Sequence, residues 1–297
     1  MPGPSAPCGE SEKARENAFD ASPVPRITLR LRLSYDPGAR PQRRSMSGAF
    51  SGENRVGRMF TGIIQGKHEI VVFERSGDSA RLGVRLPPEL REALELGDSV
   101  AIDGVCLTVC QLMPEVVMLD MIKSTLERSI AASYEPGDLV HVERSLKLGS
   151  EIGGHELSGH VDTCATVERI ERTEDNLCIF FRVDPKWSRY IFPQGFIAIS
   201  GASLTISDCL DSGSLFSTWL IPETIRLTNL GDLREGDRVN VEIHRGVQVV
   251  VDTIERTVEG FLHKALEQGT LDERAFRRLT QIRRLLPLDG SESDGEH

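Results

Sequence analysis

From residue 59 onward, short apolar runs alternate with turn residues. The runs cover 62–66, 69–74, 80–86, 99–112, 116–122 and 137–143. β-Branched residues dominate them, and Gly or Gly-Asp separates them, which is the pattern of short strands joined by tight turns. One interruption, at 87–94, begins with two prolines and continues as a short helix-like segment. Near the C-terminus the period changes. Ile254, Val258, Phe261, Leu262, Ala265 and Leu266 follow the three-to-four spacing of an amphipathic helix, predicted over 252–268. No third domain is there to receive its stripe, so association with other copies is the implied use. Residues 271–286 form an Arg-rich amphipathic stretch, read as a solvated helical tail, and 289–297 are acidic and read as disordered.

The strand pattern occurs twice. Phe60-Thr61-Gly62 recurs as Leu157-Ser158-Gly159, and Ile102 to Val109 recurs as Ile199 to Ile206, both at an offset of 97. Gly137 to Glu143 recurs as Gly236 to Glu242 at 99. A period this long means two duplicated domains rather than solenoid units. Each holds about six short strands and a helix, which suits a small closed antiparallel barrel without free edges. The expected fold is all-β: two tandem six-stranded Greek-key barrels related by a pseudo-twofold axis, over 59–155 and 156–251, followed by the C-terminal helix.

Composition adds limits. No run reaches the length a membrane helix needs, and a formal net charge of −10 argues against an extended nucleic-acid surface. Six cysteines without a C-x-x-C pair offer neither a zinc site nor a redox motif. With no apolar signal segment near the start, they read as reduced thiols of a cytoplasmic protein. Residues 1–58 carry ten Lys/Arg against six Asp/Glu and are rich in Pro, Gly and Ser. They read as a disordered extension, or as sequence preceding a functional start at Met59. Glu10, Glu12, Glu16 and Asp20 argue against a transit peptide.

Four motifs carry a family resemblance. They are Met59 to Gln65 (MFTGIIQ), Gly104 to Val109 (GVCLTV), the junction Gly153 to Asp162 (GGHELSGHVD), and Ile221-Pro222-Glu223-Thr224-Ile225 with Thr228-Asn229-Leu230-Gly231. In this order and spacing they resemble the riboflavin synthase family over roughly residues 59–268. The resemblance implies a trimer in which each active site lies between the first barrel of one copy and the second barrel of the next. It implies that two molecules of 6,7-dimethyl-8-ribityllumazine exchange a four-carbon unit, without metal or separate cofactor. Association with lumazine synthase is a further implication for partners.

The duplication suits such a reaction. Joining two copies of one substrate needs two similar pockets, and holding both removes much of the translational cost. Short hydroxyls and a carboxylate match a ribityl chain and a pteridine edge, and Thr108, Thr125, Thr205, Thr224 and Glu223 supply them. The chemistry must take a proton from the lumazine C7 methyl group and add a nucleophile at C7 of the second molecule. His155 and His160, five residues apart in a Gly-flanked junction, can move protons near neutral pH.

By resemblance, Ser99, Cys106, His155 and His160 fall at active-site positions of the first barrel, and Ser203 and Thr205 at those of the second. Phe60, Thr61, Gly62, Gly104, Val105, Ser124, Gly159, Gly201, Ile221 and Thr228 join the substrate-contacting set. Taken alone, a strand Cys packs as a small core residue and an S-L-T alternation marks an ordinary strand edge. His68, His141, His244 and His263 read as surface or packing residues. Ser124 stands where the family usually carries Glu, and Ser200 and His244 where it commonly carries Asp. The competing reading is a non-catalytic lumazine- or flavin-binding protein of the same fold.

Overall fold

The computed structural model describes residues 59–147, 149–174 and 176–282. The extension 1–58 and the tail beyond 282 lie outside the described residues. The first barrel consists of β1 (Lys67–Ser76), β2 (Ser79–Arg85), β3 (Ser99–Ile102), β4 (Val105–Leu112), β5 (Val116–Met121) and β6 (Leu139–Arg144). It carries the single-turn helix α1 (Pro88–Arg91) and the helix α2 (Lys123–Arg128). Its strands close in the order β1-β2-β5-β4-β3-β6. The second barrel has β7 (Thr163–Arg172), β8 (Leu177–Arg182), β9 (Phe196–Ile199), β10 (Ala202–Leu210), β11 (Leu215–Leu220) and β12 (Arg238–Ile243), with helix α3 (Pro222–Leu227). It closes in the same cyclic order, and every pairing is antiparallel.

The duplication extends to the irregularities. The β1–β2 register shifts between Ile70 and Val72, and the β7–β8 register between Val167 and Arg169, again 97 residues on. Second shifts follow Val109 and Ile206, also 97 apart. Bulges of this kind bend a strand and raise its twist, which lets six strands close. Each barrel encloses its own apolar core. Val105, Leu107 and Val109 point into the first, and Ala202, Leu204 and Ile206 into the second. The alternate residues of β4 and β10 therefore face outward, and these include Cys106, Thr108, Ser203 and Thr205.

A pseudo-twofold axis relates the barrels. Phe60 and Leu157, equivalent residues, pair with each other through N–H···O bonds of 2.9 and 3.0 Å. With Ala101 and Ala198, also equivalent, they form a small third core between the barrels. The β3–β4 and β9–β10 turns meet on the same axis. Asp103-Gly104 and Ser200-Gly201 all adopt positive φ, as a two-residue type I′ turn requires. A Cβ on Gly104 would lie 2.7 Å from the Gly201 nitrogen, and the reverse contact is equal.

One cross-barrel clamp uses different residues for the same bonds. His141 on β6 donates from Nδ1 to the Ser200 carbonyl (2.8 Å) and accepts at Nε2 from the Asn229 amide (2.9 Å). At the equivalent place on β12, Asn240 donates from Nδ2 to the Asp103 carbonyl (2.9 Å) and accepts at Oδ1 from the Ile130 amide (2.8 Å). The imidazole thus reproduces a carboxamide, and its two partners fix the neutral Nδ1–H tautomer. Replacing His141 with Asn should change stability by less than about 1 kcal/mol. His141→Ala should cost about 3 kcal/mol, because two buried groups lose their partners. Urea denaturation of both variants checks the contrast.

The C-terminal helix α4 (Arg245–Glu267) starts seven residues before the position read from the sequence. The stretch Val247 to Val251, with three consecutive valines, has strand propensity, and packing of Val247 and Val251 on the second barrel overrides it. Tyr190 OH donates to Asp252 (2.6 Å) and Arg189 pairs with Glu255 (2.9 Å), holding the helix on the barrel. A turn at Gly269 leads to α5 (Glu273–Ile282), whose Phe276 meets His263 at 4.8 Å. Among the described residues no helix is long and apolar enough to cross a membrane.

Candidate active site

The first few residues of each repeat do not simply extend their own barrel. Thr61 and Gly62 are anchored to the first barrel by Glu143 on β6, which accepts from Thr61 N (2.6 Å), Thr61 Oγ1 (2.8 Å) and Gly62 N (3.0 Å). From there the Gly62 carbonyl reaches the second barrel and accepts from Ser203 N at 2.9 Å. The second repeat mirrors this. Glu242 on β12 accepts from Ser158 N and Oγ (2.7 Å each) and Gly159 N (2.9 Å), and the Gly159 carbonyl accepts from Cys106 N at 2.8 Å. Each candidate nucleophile therefore sits under a segment supplied by the other repeat. Burial pushes both glutamates above the usual carboxylate range, against the pull of their hydrogen bonds. Neither acid was singled out from the sequence, although the repeated Val-x-Val-Glu ending was there to find.

Removing Glu143 leaves three donors without an acceptor. Glu143→Ala should destabilise the protein by about 2–3 kcal/mol, and Glu143→Gln, which keeps one acceptor oxygen, by less. Chemical denaturation with tryptophan fluorescence reads the difference.

The two junction histidines part company. The chain between them crosses the axis at Leu157. His155 lies against the second barrel, its Nδ1 2.6 Å from Ser203 Oγ and its amide bonded to the Thr61 carbonyl (3.1 Å). The resemblance associates it with the first barrel; its ring is on the second. Gly154 permits this, because a Cβ there would lie 2.1 Å from the Thr61 oxygen and 2.8 Å from Ser203 Cβ. Phe196 stacks on the His155 ring at 5.2 Å, and His244, at the end of β12, is tilted against it at 5.7 Å. His244, read from the sequence as a surface or packing residue, thus lies beside the candidate site. His155 is 5% exposed, and its Nε2 is buried without a hydrogen bond. Burial, and then the charge of His244, push its imidazole down to about 4. His160 is exposed and follows Gly159, whose carbonyl holds the Cys106 amide.

The remaining candidates divide by exposure. Ser203 and Cys106 are half-buried at equivalent outward positions, and Cys106 borders the core on the axis. Thr108 and Thr125 are half-buried, and Thr205 is exposed. Ser99 is buried and pairs in register with Thr108. Phe60, Thr61, Gly62, Gly104, Val105, Gly159 and Gly201 are buried and form the floor and the axis. Ile221 and Glu223 are exposed at the start of α3, and Thr224 is half-buried. Glu223 forms an exposed pair with Arg226 at 2.6 Å, and that guanidinium draws its carboxyl below the ordinary range. Ser124 is exposed at the matching place on α2, where Glu127 replaces the arginine. Thr228 is buried; its hydroxyl donates to the Thr224 carbonyl (2.6 Å) and accepts from Leu230 N (3.3 Å). That is a cap between α3 and the turn after it. A concavity of about 450 Å3, lined by Lys67, His68, Arg85 and Arg91 among others, contains none of these residues. The candidate chemistry lies on the shallow outer faces of the barrels instead. Among the described residues no group of His, Cys, Asp and Glu is arranged to hold a metal.

Comparison with known proteins matches this arrangement. Residues 61–145 and 158–244 each match the lumazine binding domain family. Riboflavin synthase of Escherichia coli (strain K12) is 40% identical over 213 residues, covering 71% of this chain and 99% of that one. Riboflavin synthase of Chlamydia pneumoniae is 42% identical over 198 residues, covering 67% and 96%. LumP complexed with riboflavin superposes with a TM-score of 0.59 at 28% identity, over 63% of this chain and all of LumP. LumP complexed with 6,7-dimethyl-8-(1'-D-ribityl) lumazine gives 0.57 at 27% identity. Two matched domains and near-complete coverage of these enzymes place the chain in the riboflavin synthase family.

Proposed function

We propose that the chain converts two molecules of 6,7-dimethyl-8-ribityllumazine into riboflavin and 5-amino-6-(ribitylamino)uracil by transfer of a four-carbon unit. The observation that carries this reading is the pairing of unlike reactive groups on equivalent barrel faces. Ser203 with His155 stands on one face, and Cys106, held by Gly159 next to His160, stands on the other. Two similar sites that differ in their reactive groups suit one compound used as both donor and acceptor of carbons. The reaction proposed is redox-neutral and its atoms balance between the two products, so it calls for no oxidant or reductant, and we read it as proceeding without metal or separate cofactor.

In a single copy Cys106, Thr108 and Ser203 are half-buried and His160 and Thr205 exposed, which fits a site completed by another copy. The apolar residues Val250, Ile254, Val258 and Phe261 lie exposed along α4 at helical spacing. We read this stripe as the contact of a trimer in which first and second barrels of neighbouring copies face each other. A cytoplasmic location and association with lumazine synthase belong to the same reading. Incubating the purified full chain with the lumazine alone tests the activity. Riboflavin formation is expected. Stable ligand fluorescence without turnover would select the binding-protein alternative.

The first barrel offers Ser124 and Glu127 where the second offers Glu223 and Arg226. Lacking the carboxylate, its face should hold the ribityl chain less well, by roughly 1.5–3 kcal/mol for one charge-assisted bond. Ser124→Glu combined with Glu127→Arg rebuilds the pair and should lower KM. Ser124→Glu alone should help less, because the new acid sits one turn from Glu127. An unchanged or raised KM in the double variant removes the idea.

A further inference from the structure

His155 is enclosed by three side chains from three strands. Phe196 of β9 stacks on it, with ring planes 15° apart. Ser203 of β10 holds Nδ1 at 2.6 Å. His244, just beyond β12, lies 5.7 Å away at 60°. The second nitrogen is buried and makes no hydrogen bond. In a serine–histidine pair completed by an acid, a carboxylate holds that second nitrogen and stabilises the imidazolium. The acids near this site are all engaged elsewhere. Glu143 serves Thr61 and Gly62, and Glu242 serves Ser158 and Gly159. Asp162 accepts from Ile243 N and Gln248 and lies 3.5 Å from Arg245. The ionisable side chain that faces the His155 ring is another imidazole.

We propose that His244 is a positioning residue for the second-barrel site: tilted against the buried His155 ring, it disfavours the imidazolium form, so that His155 meets Ser203 and substrate as a neutral base. The inference rests on the riboflavin synthase reading for its catalytic consequence. The physical basis is that two imidazoles this close, one of them buried, cannot both carry charge without mutual repulsion. The depression of His155 to about 4, by burial first and His244 second, agrees with this. The consequence is a base that stays available at pH values where an unperturbed histidine would already be largely protonated.

The test titrates His155 by NMR in the full chain, in wild type, His244→Asn and His244→Asp. In the wild type His155 should titrate below about pH 5. His244→Asn removes the repulsion and should raise its pKa. His244→Asp puts an opposite charge within reach and should raise it by at least about one unit. The acid limb of kcat/KM for riboflavin formation should move up with it, about tenfold in rate at the pH where the limb lies. If His155 titrates within about 0.3 unit of the same value in all three proteins, or the limb stays where it was, the proposal falls. Should His244→Asp fail to fold, the Asn variant and the wild type still decide the titration. Absence of riboflavin in the wild type would overturn the assigned function, while the NMR arm would judge the imidazole pair by itself.

Discussion

Gly201→Ala is expected to cost the protein about 2–5 kcal/mol, and Gly104→Ala the same. Both glycines are at positive φ, 83° and 78°, where a side chain adds roughly 1–2 kcal/mol of backbone strain. The larger effect is the collision. A Cβ on either residue would lie 2.7 Å from the other's nitrogen and 2.9 Å from its Cα. These are backbone atoms held in tight turns, so no side chain can swing aside. Relief requires separating the barrels along the axis, which opens the small core of Phe60, Ala101, Leu157 and Ala198 and stretches the clamps of His141 and Asn240. Overpacking of this kind commonly adds 1–3 kcal/mol or more (roughly). Gly236→Ala is the matched control, since Gly236 has φ 91° and nothing within 4 Å of its Cβ position. It should cost only the backbone strain, about 1–2 kcal/mol. Urea denaturation of the three variants measures the contrast. A Gly201→Ala protein no less stable than Gly236→Ala would show that the axis has slack, and that the two barrels are not tied by close backbone contact.

The same axis explains what could and could not be read from the chain. Alternation and repetition were enough for the barrels: Val105, Leu107 and Val109 turn inward, and Cys106 and Thr108 turn outward, as period two requires. The single run read over 99–112 is two strands, broken at Asp103-Gly104, a pair that favours a two-residue hairpin turn. What alternation could not show was the second layer of burial. His141 and Glu143 occupy the outward positions of β6, which read as a solvent face, yet both are buried, His141 under Ser200 and Asn229 of the other repeat and Glu143 under Thr61 and Gly62 at the start of its own. Periodicity sees one strand at a time, whereas this burial comes from partners 59 to 88 residues away. The junction histidines fail for a related reason. Five residues separate them in sequence, so they read as one cluster, but the chain passes through the axis between them. His244 acquired its meaning only when β12 brought it to the His155 ring.

His155→Asn should lower riboflavin formation by about 10²–10⁴-fold, the range expected when a general base is lost. The substitution is informative because it preserves most of the surroundings. Asn can hold Ser203 Oγ through its amide, and it is small enough to sit beneath Phe196 and beside His244. It cannot take up a proton. Binding of the lumazine, read by fluorescence, should therefore survive while kcat falls. Ser203→Ala probes the partner, and a loss no greater than that of His155→Asn, with no further loss in the double variant, is expected if the two act as one unit. His160→Asn is the counterpart on the other face. It is exposed and has no hydrogen bond fixing its ring among the described residues, so its loss should cost less. Turnover within tenfold of wild type for His155→Asn, with a larger fall for His160→Asn, would move the base to the Cys106 side. The two faces would then exchange roles, and the buried, neutral imidazole beside Ser203 would be left as a packing group. The 2.6 Å contact between His155 Nδ1 and Ser203 Oγ speaks against that outcome, because a general base must lie within hydrogen-bond reach of the group whose proton it takes.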